Sequence, residues 1–154
     1  MLKAGDKVPS FDLPDQNGKI HNFSDWKGRW VFIFFYPKDN TPGCTFESCA
    51  IRDHIDDFKD KNIEVYGISV DSVKSHKKFE KDHGLNYPLL SDEEKKVVEL
   101  FGVWKEKSMF GKKYMGIERS SFLINPKGKI EKAYEKVNPL THMGEVLKDI
   151  AEIG

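Results

Sequence analysis

The feature that most restricts this 154-residue chain is the segment Trp30 to Tyr36, WVFIFFY, the longest apolar run in the sequence. A strand with one wet face alternates apolar and polar side chains, and this run has no polar member before Tyr36. Aromatic-rich and bounded by Gly28 and Pro37, it reads as a strand covered on both faces. Such a strand belongs in the middle of a sheet, with further layers of structure on each side.

The surrounding pattern supplies those layers. Phe11 to Leu13 and Lys19 to Phe23 read as an N-terminal β-hairpin around Asp15, Gln16, Asn17 and Gly18. From Thr41 the period becomes helical, with Cys44, Ile51, Ile55 and Phe58 on one face and Pro42 suited to a first turn. Ile63 to Val70 reads as a second buried strand, Val73 to His83 as a lysine-rich amphipathic helix, and Tyr87 to Leu90 as a short extended segment. Glu93 to Phe101 reads as a helix ending at Gly102. Ser121 to Ile124 and Lys129 to Tyr134 pair as a hairpin, and Thr141 to Ile150 closes the chain as a helix. The fold expected is α/β, thioredoxin-like, with a central mixed sheet flanked by helices, all in one domain spanning residues 1–154.

Composition removes several functions. The 25 basic and 25 acidic side chains cancel, and no cluster of Lys and Arg suggests a nucleic-acid or membrane partner. The opening MLKAGDKVPSFDLPD lacks a basic segment followed by an apolar run, so a cytoplasmic protein is expected. A chain this long needs no disulfide to fold, and in a reducing compartment its two cysteines call for another role. The five histidines, His21, His54, His76, His83 and His142, show no metal spacing and read as surface or helix-side residues. With CxxC spacing also absent, neither metal nor cofactor is expected.

The chemistry concentrates in Tyr36 to Cys49, YPKDNTPGCTFESC. A cysteine in the first turn of a helix faces amides without intrahelical partners, and the helix dipole there favours a negative sulfur. A helix terminus contributes only ~0.3–2 kcal/mol, less than is needed to keep a thiol ionised at neutral pH, so a cation must help Cys44. The Thr41 hydroxyl, three residues earlier, can accept from one group and donate to another; it can equally be an N-cap. Pro37 and Pro42 bracket the loop, and Pro37 would shield the sulfur from water. Glu47, one turn on, either orients a guanidinium or lies exposed on the helix.

Cys44 and Cys49 are five residues apart. In an intact helix their Cα atoms lie roughly 8–9 Å apart, beyond the ~4.4–6.8 Å that a disulfide tolerates. The spacing suits a switch: Cys44 is oxidised to sulfenic acid in the folded helix, which then opens so that Cys49 can condense with it; without the surrounding loop the pair reads instead as two unrelated buried thiols.

The string YPKDNTPGCTFESCAIRD, Tyr36 to Asp53, resembles the peroxiredoxins of the bacterioferritin comigratory protein or PrxQ group, with Pro37, Thr41 and Cys44 meeting their signature. Phe101-Gly102-Val103-Trp104 before a variable loop, and Gly116 to Ile124, GIERSSFLI, extend the resemblance along the chain. It implies a thiol peroxidase acting on hydrogen peroxide and organic hydroperoxides. Cys44 would be the peroxidatic and Cys49 the resolving cysteine, Thr41 the peroxide-orienting hydroxyl and Arg119 the active-site guanidinium. Pro37 and Gly43 would help bind substrate, and thioredoxin would be the dithiol donor. Without the family, Arg119 reads as a surface arginine beside a strand. Met109, Phe110, Tyr114 and Met115 could form an apolar rim for a bulky hydroperoxide or a reductant protein, or pack in the core. With no later cysteine, an intersubunit disulfide of the C-terminal kind is excluded, so a monomer is expected, with a weak dimer as the alternative.

Two other readings compete. A thiol–disulfide oxidoreductase usually places its cysteines two residues apart, where they bridge without melting a helix. A redox sensor or chaperone-like binding domain would be oxidised once and expose a surface, without turning over peroxide.

Overall fold

The computed structural model describes residues 1–24, 26 and 28–153. The chain enters through an antiparallel hairpin, β1 (Phe11–Pro14) and β2 (Ile20–Phe23), and proceeds to β3 (Trp30–Phe35). Helix α1 (Pro42–Asp53) and the short α2 (Ile55–Lys59) lead to β4 (Ile63–Ser69), α3 (Val73–His83), β5 (Leu89–Ser91) and α4 (Lys96–Leu100). A second hairpin, β6 (Trp104–Met109) and β7 (Lys112–Ile117), precedes β8 (Ser120–Ile124), β9 (Ile130–Tyr134) and α5 (His142–Ile150).

The apolar run lies where its composition puts it. β3 is the middle strand of a five-stranded sheet ordered β5-β4-β3-β8-β9, parallel to β4 and antiparallel to β8. Because side chains alternate across a strand, Val31, Ile33 and Phe35 enter one core while Phe32, Phe34 and Tyr36 enter the other. The first core is closed by the N-terminal hairpin, α4 and Phe101 to Val103. The second is closed by α1, α2, α3 and α5 through Ile51, Phe58, Phe79 and Val146. This is the α/β, thioredoxin-like arrangement expected, a central mixed sheet flanked by helices.

Three differences from the sequence reading have physical causes. The helix after Thr41 breaks at His54 (φ −111°, ψ 15°), so Ile55 and Phe58 belong to a separate turn. The helix expected over Glu93 to Phe101 shortens to Lys96–Leu100, because Lys95 takes a left-handed conformation (φ 62°) and the Asp92 carboxylate accepts from the Lys96 and Val98 amides. The stretch around Met109 to Met115, read as a loop, is the β6–β7 hairpin, turning at Phe110 and Gly111 with φ of 52° and 77°. Among the described residues no helix is long and apolar enough to cross a membrane.

One glycine is required by the packing around β3. A Cβ on Gly67 of β4 would lie 2.8 Å from Cζ of Phe34 and 3.1 Å from Cδ2 of Leu89. Both side chains are fully buried, so relief would displace the core rather than a surface group. Gly67→Ala should lower the free energy of unfolding by about 1–3 kcal/mol in urea titrations; an unchanged midpoint would refute this account of β4.

Candidate active site

The site forms where α1 starts beneath the end of β3. Thr41 occupies the N-cap position in extended conformation (φ −87°, ψ 153°), but its side chain caps nothing. Its hydroxyl donates instead to the Lys38 carbonyl at 2.9 Å. Its hydroxyl thus does not cap the helix, although the residue stands at the N-cap position, and the hydroxyl oxygen is left as an acceptor. Pro42 has no N–H and the Thr45 amide donates to the Thr41 carbonyl at 2.8 Å. The amides of Gly43 and Cys44 are thus the ones that the helix start offers to the sulfur and its surroundings.

Cys44 is 1% exposed and its thiol is free. The guanidinium of Arg119 faces it: Nη2 donates to Sγ at 3.2 Å and Nη1 donates to Oε1 of Glu47 at 2.9 Å. Gly43 leaves room for this approach: a Cβ there would sit 3.3 Å from Nη2 and 3.4 Å from Cγ of Pro139, close enough that the guanidinium would have to give slightly. Arg119 is the link between β7 and β8, so the β6–β7 hairpin delivers it, and its carbonyl accepts from the Val137 amide at 2.9 Å. It is a half-buried site residue rather than a surface arginine. Burial works against its charge, but Glu47 and Cys44 outweigh this and hold it above the ordinary arginine range.

Glu47 is buried, not exposed, and Oε2 has no hydrogen-bond partner among the described residues. Burial pushes its carboxyl from 4.5 up to about 7, against the opposing pull of Arg119. A further cation, Lys107 of β6, donates from Nζ to the Ile117 carbonyl at 2.7 Å. Burial, then the nearby Arg119 charge, holds its ammonium below the usual lysine range, while Cys44 and Glu118 act in the opposite direction. Nothing in the sequence pattern distinguished Lys107 from its lysine neighbours.

Cys49 is also free and lies on the same helix, partly buried against the second core, as are Met143 and Leu147 of α5. The structure therefore joins Cys44, Thr41, Gly43, Glu47 and Arg119 at one end of α1, with Pro37 half-buried in the lead-in, and leaves Cys49 further along the helix. Met109, Phe110, Tyr114 and Met115 are all exposed on the second hairpin, not packed in the core. A cleft of about 500 Å³, lined by Phe11, Leu13, Ile20 and Val97 among others, includes none of the site residues.

Two histidines depart from the surface reading. His76 is fully buried: Nδ1 lies 2.7 Å from Oδ2 of Asp39 and Nε2 donates to the Leu90 carbonyl at 2.9 Å. His142 is buried with Nε2 2.9 Å from Oγ of Ser121. Among the described residues, Asp39, Asp71 and His76 form the group with metal-like spacing, their ligand atoms within 4.8 Å of one another. Hydrogen bonds to protein groups already occupy those atoms.

The burial of Glu47 sets a sign for stability against pH. The unfolded chain loses this proton near 4.5 and the folded chain near 7, so between those values the folded state binds more protons and stability falls as pH rises. Wild type should lose about 3 kcal/mol relative to Glu47→Gln across that window. Parallel stability profiles for the two proteins, measured by urea unfolding from pH 4 to 8, would rule this out.

Residues 4–133 match the model of the AhpC/TSA family. The chain is 46% identical to peroxiredoxin Bcp of Escherichia coli (strain K12) over 151 residues, 98% of this chain and 97% of that protein. It is 42% identical to peroxiredoxin Bcp of Bacillus subtilis (strain 168) over 152 residues, 99% of this chain and 97% of that protein. Among solved structures, a cysteine-to-serine variant of Xylella fastidiosa PrxQ superposes with a TM-score of 0.92 at 35% identity, covering 98% and 96% of the two chains. Bacterioferritin comigratory protein of Xanthomonas campestris, studied for alkyl peroxide reduction, superposes with a TM-score of 0.86 at 38% identity, covering 92% and 90%. The sulfur under a guanidinium at the start of α1 thus lies in a chain that belongs to the AhpC/TSA family, as a peroxiredoxin of the Bcp/PrxQ group.

Proposed function

We propose that this peroxiredoxin reduces hydrogen peroxide and organic hydroperoxides through Cys44, resolves the product with Cys49 and is reset by a thioredoxin-type dithiol protein. The observation that carries the reading is the 3.2 Å contact from Arg119 to the Cys44 sulfur at the first turn of α1. A guanidinium in that position donates to the attacking sulfur and also faces the oxygen that the sulfur would attack.

In the first step the thiolate displaces an alkoxide or hydroxide from the peroxide. The S–O bond forms as the O–O bond breaks, and the leaving oxygen takes a proton to become alcohol or water. Arg119 has N–H groups beyond those used on Cys44 and Glu47, and these stabilise charge on the leaving oxygen. The Thr41 hydroxyl, its hydrogen committed to Lys38, accepts the peroxide O–H and so orients the bond. Glu47 holds the guanidinium from behind, and Pro37 and Gly43 shape the niche.

In the second step the Cys49 thiolate attacks the sulfenic sulfur, an S–S bond forms and hydroxide leaves as water. This is the atypical two-cysteine cycle within one subunit, and it needs α1 to open. Two electrons from the donor dithiol then restore both thiols. The reading takes the whole chain as one thioredoxin-like domain working as a monomer in a reducing compartment such as the cytoplasm. The exposed hairpin residues Met109, Phe110, Tyr114 and Met115 are available to a bulky hydroperoxide or to the reductant.

The test is one equivalent of hydrogen peroxide added to the reduced protein, followed by mass spectrometry. Wild type should lose two hydrogens as the disulfide forms, Cys44→Ser should not react quickly, and Cys49→Ser should gain one oxygen as a trapped sulfenic acid. Rapid peroxide consumption by Cys44→Ser would remove Cys44 from its role, and a single oxidation without turnover in the presence of dithiol would favour a sensor.

A further inference from the structure

The loop that carries Thr41 is gripped from outside the site. Asp39 is buried, and its carboxylate accepts from the Tyr36 hydroxyl at Oδ1 (2.6 Å) and from the Ser75 hydroxyl at Oδ2 (2.8 Å), with His76 Nδ1 2.7 Å from Oδ2. The Leu90 carbonyl only accepts, so His76 Nε2 carries a hydrogen toward it. The Asp39 amide in turn donates to Oδ2 of Asp71, which also accepts from Ser69. One aspartate two residues before Thr41 is thereby tied to β3, α3, β5 and the end of β4.

The next residue continues the hold. Asn40 is left-handed (φ 60°), a conformation costly for most side chains and tolerated by asparagine. Its side chain meets Nε2 of His83 at 2.9 Å. The hydrogen bonds of this network are separate from those among Cys44, Arg119 and Glu47, and the peroxide chemistry proposed above makes no use of them.

We infer that the buried Asp39–His76 pair is a positioning device: it holds the Pro37–Thr41 loop in the peroxide-reactive conformation and opposes the opening of α1 that disulfide formation needs. The inference rests on the proposed cycle. Thr41 and Cys44 keep their relation to Arg119 only while the loop leading into α1 is fixed, and unwinding the first turns of α1 pulls on that loop. A network that exists only in the folded arrangement shifts the balance toward it. The two chemical steps favour opposite ends of this balance, so loosening the pair moves them in opposite directions. A residue serving only global stability would not divide the steps in this way.

Single-turnover stopped-flow measurements separate the steps: a peroxide-dependent phase for Cys44 oxidation and a peroxide-independent phase for disulfide formation. In Asp39→Asn and in His76→Leu the first phase should slow by about tenfold or more and the second should accelerate several-fold. The double variant should match the singles, because one unit is being removed. Both phases unchanged, or both slowed, would overturn the inference. If either single variant fails to fold, Ser75→Ala, which removes one donor to Asp39, must give the same opposed shift at smaller size, and its absence counts against the pair. A wild type without a Cys44-dependent peroxide phase would instead defeat the proposed cycle itself.

Discussion

Cys44 and Cys49 share one uninterrupted helix, Pro42–Asp53, and most of the account depends on that continuity. The helix start presents two backbone amides to the sulfur, and its first turn brings Gly43 close enough for Arg119 to pass. Its second turn carries Glu47 behind the guanidinium. The same continuity keeps the second thiol out of bonding range. In the proposed cycle a single element thus makes the reactive arrangement and blocks its resolution, so the two halves of that cycle need two conformations of one segment.

Around that helix the structure divides rigid from movable parts. The sheet under the site is fixed by β3, whose alternating side chains fill two separate cores. Arg119 comes from β8's leading edge, where the Val137 amide holds its carbonyl. These contacts do not require α1 to be intact, whereas the Arg119–Cys44 and Arg119–Glu47 contacts do. Opening α1 therefore costs the site its charge-assisted hydrogen bonds without dismantling the sheet. It also releases Glu47 from a position where burial holds its carboxyl near 7, which offsets part of the cost at neutral pH.

How much of this was legible follows from where each signal lies. The central strand, the helix start and the cysteine pair are local, and each announces itself through composition or spacing. The thioredoxin-like order of strands and helices followed from them. The β6–β7 hairpin did not, because Lys105, Lys107, Lys112 and Lys113 interrupt its apolar period and its strands are supported more by their own ladder than by burial. Its signal was the left-handed turn at Phe110-Gly111. Glu47 lay on the buried face with Cys44 and Ile51, three or four residues from each, so helical spacing favoured burial over the exposed alternative. His76 and His142 were beyond sequence reasoning, since their partners Asp39 and Ser121 stand 37 and 21 residues away. Arg119 entered through family resemblance, and only the structure explains it, as the joint between a hairpin and a core strand.

The central claim is that α1 must open for Cys49 to reach Cys44, and amide hydrogen exchange reads this directly. In the dithiol form the amides from Thr45 to Ile51 should be protected as a folded helix is, with β3 protected beside them. After stoichiometric oxidation the helix amides should exchange toward the rates of an unstructured segment while β3 keeps its protection. Equal protection of Thr45 to Ile51 in the two redox forms, with the disulfide verified by mass, would contradict the account.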